Sequence, residues 1–294
     1  MSQKNLSDND IEINISDNSE NDLTKNLIAE SYLSYKNIYY TKNETNIGSE
    51  KNIRKVFSLG TAEYTWLIPD DDMLTFDHSL SDVIDQIKKY NHELAFIMVN
   101  AKAVFLATNV VLSEKFNEVN KNIFFEDGKD LLNLISDSDL IGAQRLIIKR
   151  SVLPHPFEQK HTQDGNVGCM SLALVAAAAG QTLYMGKPLI TFEAGDSSPW
   201  RKFWPKIFFI DMSNLLLESI AALGYSEKRV KEIIEMKKHK HINTLNPGFL
   251  LFQKYGLRWA LLAKIYGGRF VFKHLLAAPY KLVINSRIAQ KLLQ

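Results

Sequence analysis

Three consecutive aspartates, Asp70, Asp71 and Asp72, follow directly on the apolar run "EYTWLI". Like charges so placed repel one another, and burying them is costly unless a cation neutralises them. Mg²⁺ and Mn²⁺ take oxygen ligands, usually one or two carboxylates with phosphate oxygens and water. A divalent ion bridging an aspartate and a diphosphate is the chemistry these residues could support. The plainer reading is a solvated acidic turn before the next helix. A second polar cluster, Asp17, Asn18, Ser19, Asp22 and Thr24, closes the alternating run "IEINIS". A third, Asn43, Asn46, Gly48 and Asn52, lies in "NETNIGSEKN".

The elements that position these clusters follow from periodicity. "IEINIS", "NIYYTKN", "EYTWLI" and "LAFIMV" read as strands, the last apolar throughout, as expected when both sheet faces are covered. Between them, "LTKNLIAESY" places Leu23, Leu27 and Ile28 on one helical face. "SEKNIRKVFSLG" does the same with Ile53, Val56 and Phe57, with Ser49 as N-cap and Gly60 past the end. "SLSDVIDQIKKY" turns Leu80, Val83, Ile84 and Ile87 inward. Strand, helix, strand in this rhythm predicts a mostly parallel α/β sheet flanked by helices. In such sheets ligands gather beyond the carboxyl ends of the strands, and the aspartate run sits at that end of "EYTWLI". Further on, "GKDLLNLI" reads as a helix, "RLIIK" as a strand and "CMSLALVAAAAG" as a small-residue helix. "TLYMGKPLITF" reads as a strand pair about Gly186.

Composition bounds the class. The chain has 294 residues with 46% hydrophobic content, enough for a substantial core. One cysteine, Cys169, excludes an intramolecular disulfide or a multi-cysteine zinc site and favours a reducing compartment. The polar start "MSQKNLSDNDIE" does not read as a signal peptide, and the apolar run Val167 to Ala179 is too short to span a bilayer. From Tyr225 to Gln294, fourteen lysines and arginines face three glutamates, a surplus of eleven positive charges within an overall net of +2. "FLLFQKYGLRWALLAKIY" borders an apolar helical face with cations, as interfacial helices do. An ordinary amphipathic helix docked on the rest of the chain reads equally well. Nucleic acid is not expected, since no recognised binding module accompanies the charge. Residues 1–200 are read as the catalytic domain and 201–294 as a helical, basic C-terminal region.

In order and spacing, the clusters resemble the nucleotide-sugar half of family 2 glycosyltransferases of the GT-A fold. The later "RLIIKRSVL" and "GQTLYMGKPLITF" are similar to the acceptor half of bacterial surface-polysaccharide members, including abequosyltransferase-like enzymes. The resemblance covers roughly residues 10 to 220 and implies a nucleotide-sugar donor and a lipid-linked or polysaccharide acceptor, as in O-antigen or capsule synthesis. It implies that Asp17 hydrogen-bonds the nucleobase, with Asn18, Ser19, Asn46, Gly48, Asn52, Asp70 and Asp71 around the donor. Asp70 would touch the ribose or share the metal, and Asp72 would be the main ligand of Mn²⁺ or Mg²⁺. The reaction implied is inverting attack by an acceptor hydroxyl on the anomeric carbon. Its general base is expected just before "CMSLALVAAAAG", where Asp164 is the first candidate and His161 the second. A simple Asp-Gly turn and an exposed loop histidine are the alternatives for these two. The location implied is cytoplasmic, peripheral to the inner face of the membrane.

The resemblance also carries a departure. Family members begin with a central strand and a helix, and this chain enters at that helix's end, so the first strand is expected to be absent. Two rivals to the enzyme reading therefore stand: a non-catalytic remnant that keeps the fold, and a membrane-surface scaffold acting through its basic tail.

Overall fold

The computed structural model describes residues 11–31, 36–105, 110–115, 117–135, 137–140, 142–164, 167–193, 207 and 211–244. The basic segment from Phe249 to Tyr266, read above as an amphipathic helix, lies outside them.

The chain opens with β1 (Ile13–Asp17), α1 (Leu23–Ser31) and β2 (Ile38–Lys42). β1 and β2 pair in parallel, Ile13 opposite Ile38 through Asp17 opposite Lys42, and form a two-stranded sheet of their own. Then come α2 (Ser49–Leu59), β3 (Tyr64–Trp66), β4 (Met73–Leu74), α3 (Ser79–Lys89) and the long β5 (Phe96–Phe105). β6 (Val110–Ser113), β7 (Ile123–Phe125) and β8 (Leu146–Lys149) follow, with short 3₁₀ turns between β7 and β8. α4 (Pro156–Asp164), α5 (Gly168–Ala178), β9 (Thr182–Glu193), α6 (Met212–Leu223) and α7 (Glu227–Thr244) complete the described chain.

The larger sheet has the order β3-β8-β5-β9-β4, with β6 on β5 and β7 on β9. β5 and β9 are parallel, while β8 runs antiparallel to both β3 and β5. β3, β5 and β9 therefore point the same way, and their carboxyl ends share one rim. Alternate residues of β5 enter different cores. Phe96 and Met98 face α5, α6 and α7, whereas Ile97 and Val99 face α3. This is a sheet covered on both sides, and it explains why the β5 sequence shows no polar alternation.

α5 is the keystone of the first core. Ten of its eleven residues are buried, as expected for a helix apolar all round. α6 lays Met212, Leu215 and Leu216 in the same cluster, and Tyr225 donates from its hydroxyl to the Leu174 carbonyl at 2.8 Å. The same cluster includes Val230 and Ile233 of α7.

Several expectations change. The α1 face does not pack inward: Leu23 is 72% exposed and Leu27 56%. Gly48, with φ +83°, takes the N-cap position of α2, and Ser49 becomes its first helical residue. The "GKDLLNLI" stretch is a 3₁₀ turn (Gly128–Asn133), started by Asp127 accepting from the Lys129 N–H. "TLYMGKPLITF" is one strand, not a pair. Met185 pairs with Val99 and Pro188 with Asn100, so the intervening residues are taken up by an irregularity within β9. Glycine is required at position 186, because a Cβ there would collide with the backbone of Asn120 and Lys121. The segment "PFEQKHTQD" is helical as α4, so His161 and Asp164 lie on a helix rather than a loop.

Candidate active site at the carboxyl ends of β1 and β3

β1 delivers Asp17 to the end of the two-stranded sheet, where it is buried. One carboxylate oxygen accepts from the Ser19 N–H at 2.8 Å, the Asx-turn that ends the strand. The other accepts from the Tyr40 hydroxyl on β2 at 2.7 Å. Burial pushes this carboxyl up, but the hydrogen bonds from Ser19 and Tyr40 and the charge of Lys42 outweigh it, and Asp17 is held below its ordinary range. Lys42 in turn pairs with Asp22.

Asn18 organises the neighbouring loop. Its carbonyl oxygen accepts from the Ile47 N–H at 2.9 Å and from Asn43 at 3.2 Å, and its amide donates to Asn46 at 2.8 Å. Asn46 also accepts from the Gly48 N–H at 2.9 Å, so the loop that needs Gly48's positive φ is anchored to the strand end. From the first turns of α2, Asn52 donates to the Ser16 carbonyl at 3.0 Å and accepts from the Ser16 hydroxyl at 2.7 Å and from Asn43 at 2.8 Å. The structure therefore joins Asp17, Asn18, Ser19, Asn46, Gly48 and Asn52 at one strand end. It adds three residues whose roles the sequence reading did not assign: Ser16, Tyr40 and Lys55, whose ammonium donates to Asn43. Lys55 shares a helical face with Asn52 three residues earlier, which was the available signal. Tyr40's part depends on β1–β2 register, which no local pattern reveals.

The acidic triplet occupies the turn between β3 and β4. Asp70 and Asp71 are exposed; Asp72 is half-buried and accepts from the Glu193 N–H, at the end of β9, at 3.2 Å. Burial first, then the neighbouring charges of Asp71, Asp70 and Glu193, push the Asp72 carboxyl up to about 7 despite that hydrogen bond. α2 returns the chain to the start of β1: Asn52 lies against Ser16, while Gly60, past the helix end, lies against Glu12 and Asn14. β3 sets off from there. No hydrogen bond or ion pair among the described residues joins Asp70, Asp71 or Asp72 to the Asp17 network.

The donor set for a divalent ion is modest but adequate in kind. No group of three or more His, Cys, Asp or Glu side chains converges among the described residues. Asp72 nevertheless combines a half-buried carboxylate, one oxygen of which accepts from a single N–H, with two exposed carboxylates beside it. Hard ions at diphosphates commonly use one or two protein carboxylates and leave the remaining positions to phosphate and water.

On the opposite side of α2, the Glu50 carboxylate accepts from the Gly168 N–H at the start of α5, and burial pushes it up to about 7. One of its oxygens is buried with no hydrogen-bond partner. His161 packs against the Phe157 ring, with centroids 4.8 Å apart, and lies 3.2 Å from a Glu218 carboxylate oxygen on α6. Burial holds it below its ordinary value, with Lys160 acting in the same sense against Glu218. Asp164 closes α4, and its side chain lies outside the described residues. His155 accepts from the Phe157 N–H at 3.2 Å in the first turn of α4 and serves that turn.

The model of Glycosyl transferase family 2 matches residues 2–152, which is 151 of the 294 residues. The chain belongs to that family. Its fold resembles crystal structures of S. aureus TarS. Against TarS 1–349 it is 14% identical, with 84% of this chain and 67% of that one covered at a TM-score of 0.57. Against the same portion in complex with UDP, the identity is 16%, the coverage 84% and 68%, and the TM-score 0.60. Against the complex with UDP-GlcNAc, the values are 16%, 84% and 68%, and 0.57. No curated protein matches the chain. These likenesses establish the α/β GT-A fold for the family 2 chain. Among its described residues, no helix is long and apolar enough to cross a membrane.

Proposed function

We propose that this family 2 glycosyltransferase binds a nucleoside diphosphate sugar at the end of β1 and transfers a hexosyl or deoxyhexosyl unit, with inversion, to a lipid-linked or polysaccharide acceptor. The product belongs to cell-surface polysaccharide synthesis of the O-antigen or capsule kind, in the manner of abequosyltransferase-like members. The observation that carries the reading is Asp17, a buried carboxylate kept ionised by Ser19 and Tyr40 beside a loop of asparagines. Such a group can accept from an imide N–H of a pyrimidine base, and TarS structures with UDP and UDP-GlcNAc provide the matching donor class.

Asp72, with Asp70, would hold Mn²⁺ or Mg²⁺. Bound there, the ion would supply charge stabilisation for the departing diphosphate. Asp71 would complete the acidic rim of the donor site. Asp164, four residues before the start of α5, is the proposed general base, taking the proton of the acceptor hydroxyl as that oxygen bonds the anomeric carbon. His161, the second candidate, is engaged by Glu218 and Phe157, which makes it a poorer one. The basic C-terminal region would bring the enzyme to an anionic membrane surface on the cytoplasmic side, where lipid-linked acceptors lie.

A second reading, a fold that has lost catalysis, is favoured by one observation. β1 and β3 belong to separate sheets, so the Asp17 network and the acidic turn have no shared ladder to fix their separation.

Calorimetric titration of the chain with UDP and UDP-GlcNAc, with and without Mn²⁺, tests the proposal. Saturable binding that strengthens with Mn²⁺ and is lost in Asp17→Ala supports donor binding, and release of UDP in the presence of acceptor supports catalysis. Binding without turnover would favour the second reading. Absence of any nucleotide binding would defeat the donor-binding proposal and likewise favour the second reading.

A further inference from the structure

The asparagines around Asp17 form a chain of hydrogen bonds whose direction is set by groups able to act in one sense only. The Ile47 and Gly48 N–H groups can only donate, and they hold the side-chain oxygens of Asn18 and Asn46, each at 2.9 Å. The Ser16 carbonyl can only accept, and it takes the Asn52 amide at 3.0 Å. The Lys55 ammonium can only donate, so the Asn43 oxygen faces it while the Asn43 amide faces Asn18 and Asn52. Turning any of these amides over would set donor against donor or acceptor against acceptor.

That direction decides what the loop shows to a ligand. Each side-chain oxygen of the four asparagines is engaged: Asn18 by Ile47 and Asn43, Asn46 by Asn18 and Gly48, Asn52 by Ser16 and Asn43, and Asn43 by Lys55. What is left unspent, among the described residues, is N–H: both hydrogens of the exposed Asn46 amide and one of the half-buried Asn18 amide. Asp17 is the opposite kind of group. Its carboxylate only accepts, and with one oxygen on the Ser19 N–H and the other on the Tyr40 hydroxyl, each can accept once more. Asn18 links the two, adjacent to Asp17 in the chain and 2.8 Å from the Asn46 oxygen. The end of β1 therefore offers an acceptor on the strand and donors on the loop.

We infer that Asn46, assisted by Asn18, is a specificity-determining residue that selects uracil or thymine against cytosine in the nucleotide of the donor. Uracil and thymine carry an N3–H flanked by carbonyl oxygens, which gives Asp17 a donor and the asparagine amides an acceptor. Cytosine reverses the pattern. Its N3 has no hydrogen and would meet the carboxylate, while its 4-amino group would meet amide N–H. Both mismatches leave polar groups without partners, and sites built on hydrogen bonds turn away analogues that lack the matching group. The inference rests on the donor reading and adds to it which base the donor carries and which side chain chooses it.

Calorimetric titration of the full chain with UDP and with CDP, at one Mn²⁺ concentration, reads the selection without any substitution. UDP is expected to bind at least about tenfold more tightly. Asn46→Asp keeps both bonds that the Asn46 oxygen accepts and replaces the outward donors by an acceptor. Its added charge weakens both nucleotides alike, so the ratio of the two affinities isolates the base. That ratio should fall at least about fivefold, with circular dichroism unchanged. Asn46→Ala removes the donors without adding charge and should lower the ratio as well, which keeps the assignment testable if the first variant misfolds. Equal affinity of the parent chain for UDP and CDP overturns the selection and leaves the donor site standing. A ratio unchanged in the folded variants overturns the assignment to Asn46. Absence of binding by either nucleotide removes the donor reading and this inference with it.

Discussion

The Tyr40 hydroxyl donates to an Asp17 carboxylate oxygen at 2.7 Å across the parallel β1–β2 pair. The bond fixes the carboxylate's orientation and, after Ser19, is a main reason it stays ionised despite burial. Tyr40→Phe removes a hydrogen bond to a charged group, worth about 1.5 kcal/mol, and leaves the carboxylate freer to rotate. UDP affinity should fall roughly tenfold in Tyr40→Phe by calorimetry, with the fold unchanged by circular dichroism. Unaltered affinity would show that Asp17 does not read the base.

Asp72→Ala should remove the Mn²⁺-dependent part of UDP binding and leave the metal-independent part. Asp71→Ala, at an exposed position that only rims the site, should alter affinity by less than about threefold, within the range of exposed charge interactions. If Asp72→Ala and the parent chain respond identically to Mn²⁺, the acidic turn is a solvated cap and not a metal site.

Glu50 gives a stability prediction with a definite sign. Its folded-state pKa, about 7, lies above its unfolded value, so the folded chain holds the proton more tightly. This carboxyl therefore costs nothing below the unfolded pKa and destabilises progressively as pH rises from about 4.5 to about 7. The shift corresponds to a cost of order 3 kcal/mol above that window. Glu50→Gln should melt higher than the parent at pH 8, with the difference vanishing near pH 4. An equal difference at both pH values would trace the effect to packing instead.

Arg145 is 1% exposed and bridges three groups: it donates to the Val99 carbonyl at 2.9 Å, to the Asp139 carbonyl at 3.2 Å and to the Asp139 carboxylate at 2.8 Å. Arg145→Ala would strand a buried carboxylate, and unfolding in urea should show a loss of about 3–5 kcal/mol. Replacing both partners, Arg145→Met with Asp139→Leu, should recover much of that loss. Failure to recover would show that the bonds to backbone carbonyls, rather than the ion pair, hold this turn.

Local patterns determined much of this protein. The continuous apolar run of β5, the small-residue helix α5 and the turn with positive φ at Gly48 each follow from chain-local chemistry, and the order of polar clusters with strands fixed the family. Where a residue's environment depends on distant chain, the sequence was silent or misleading. Leu23 and Leu27 have the spacing of a buried face, yet they are exposed and no described residue packs over them, because periodicity supplies a face but not its partner. Gly186 looks like a turn, but its freedom serves a close approach of residues 120 and 121 to a strand that continues. Glu50's burial and Tyr40's hold on Asp17 were decided by tertiary structure alone. Each arises where elements far apart in sequence meet, and the free energies involved belong to the contact and not to either segment.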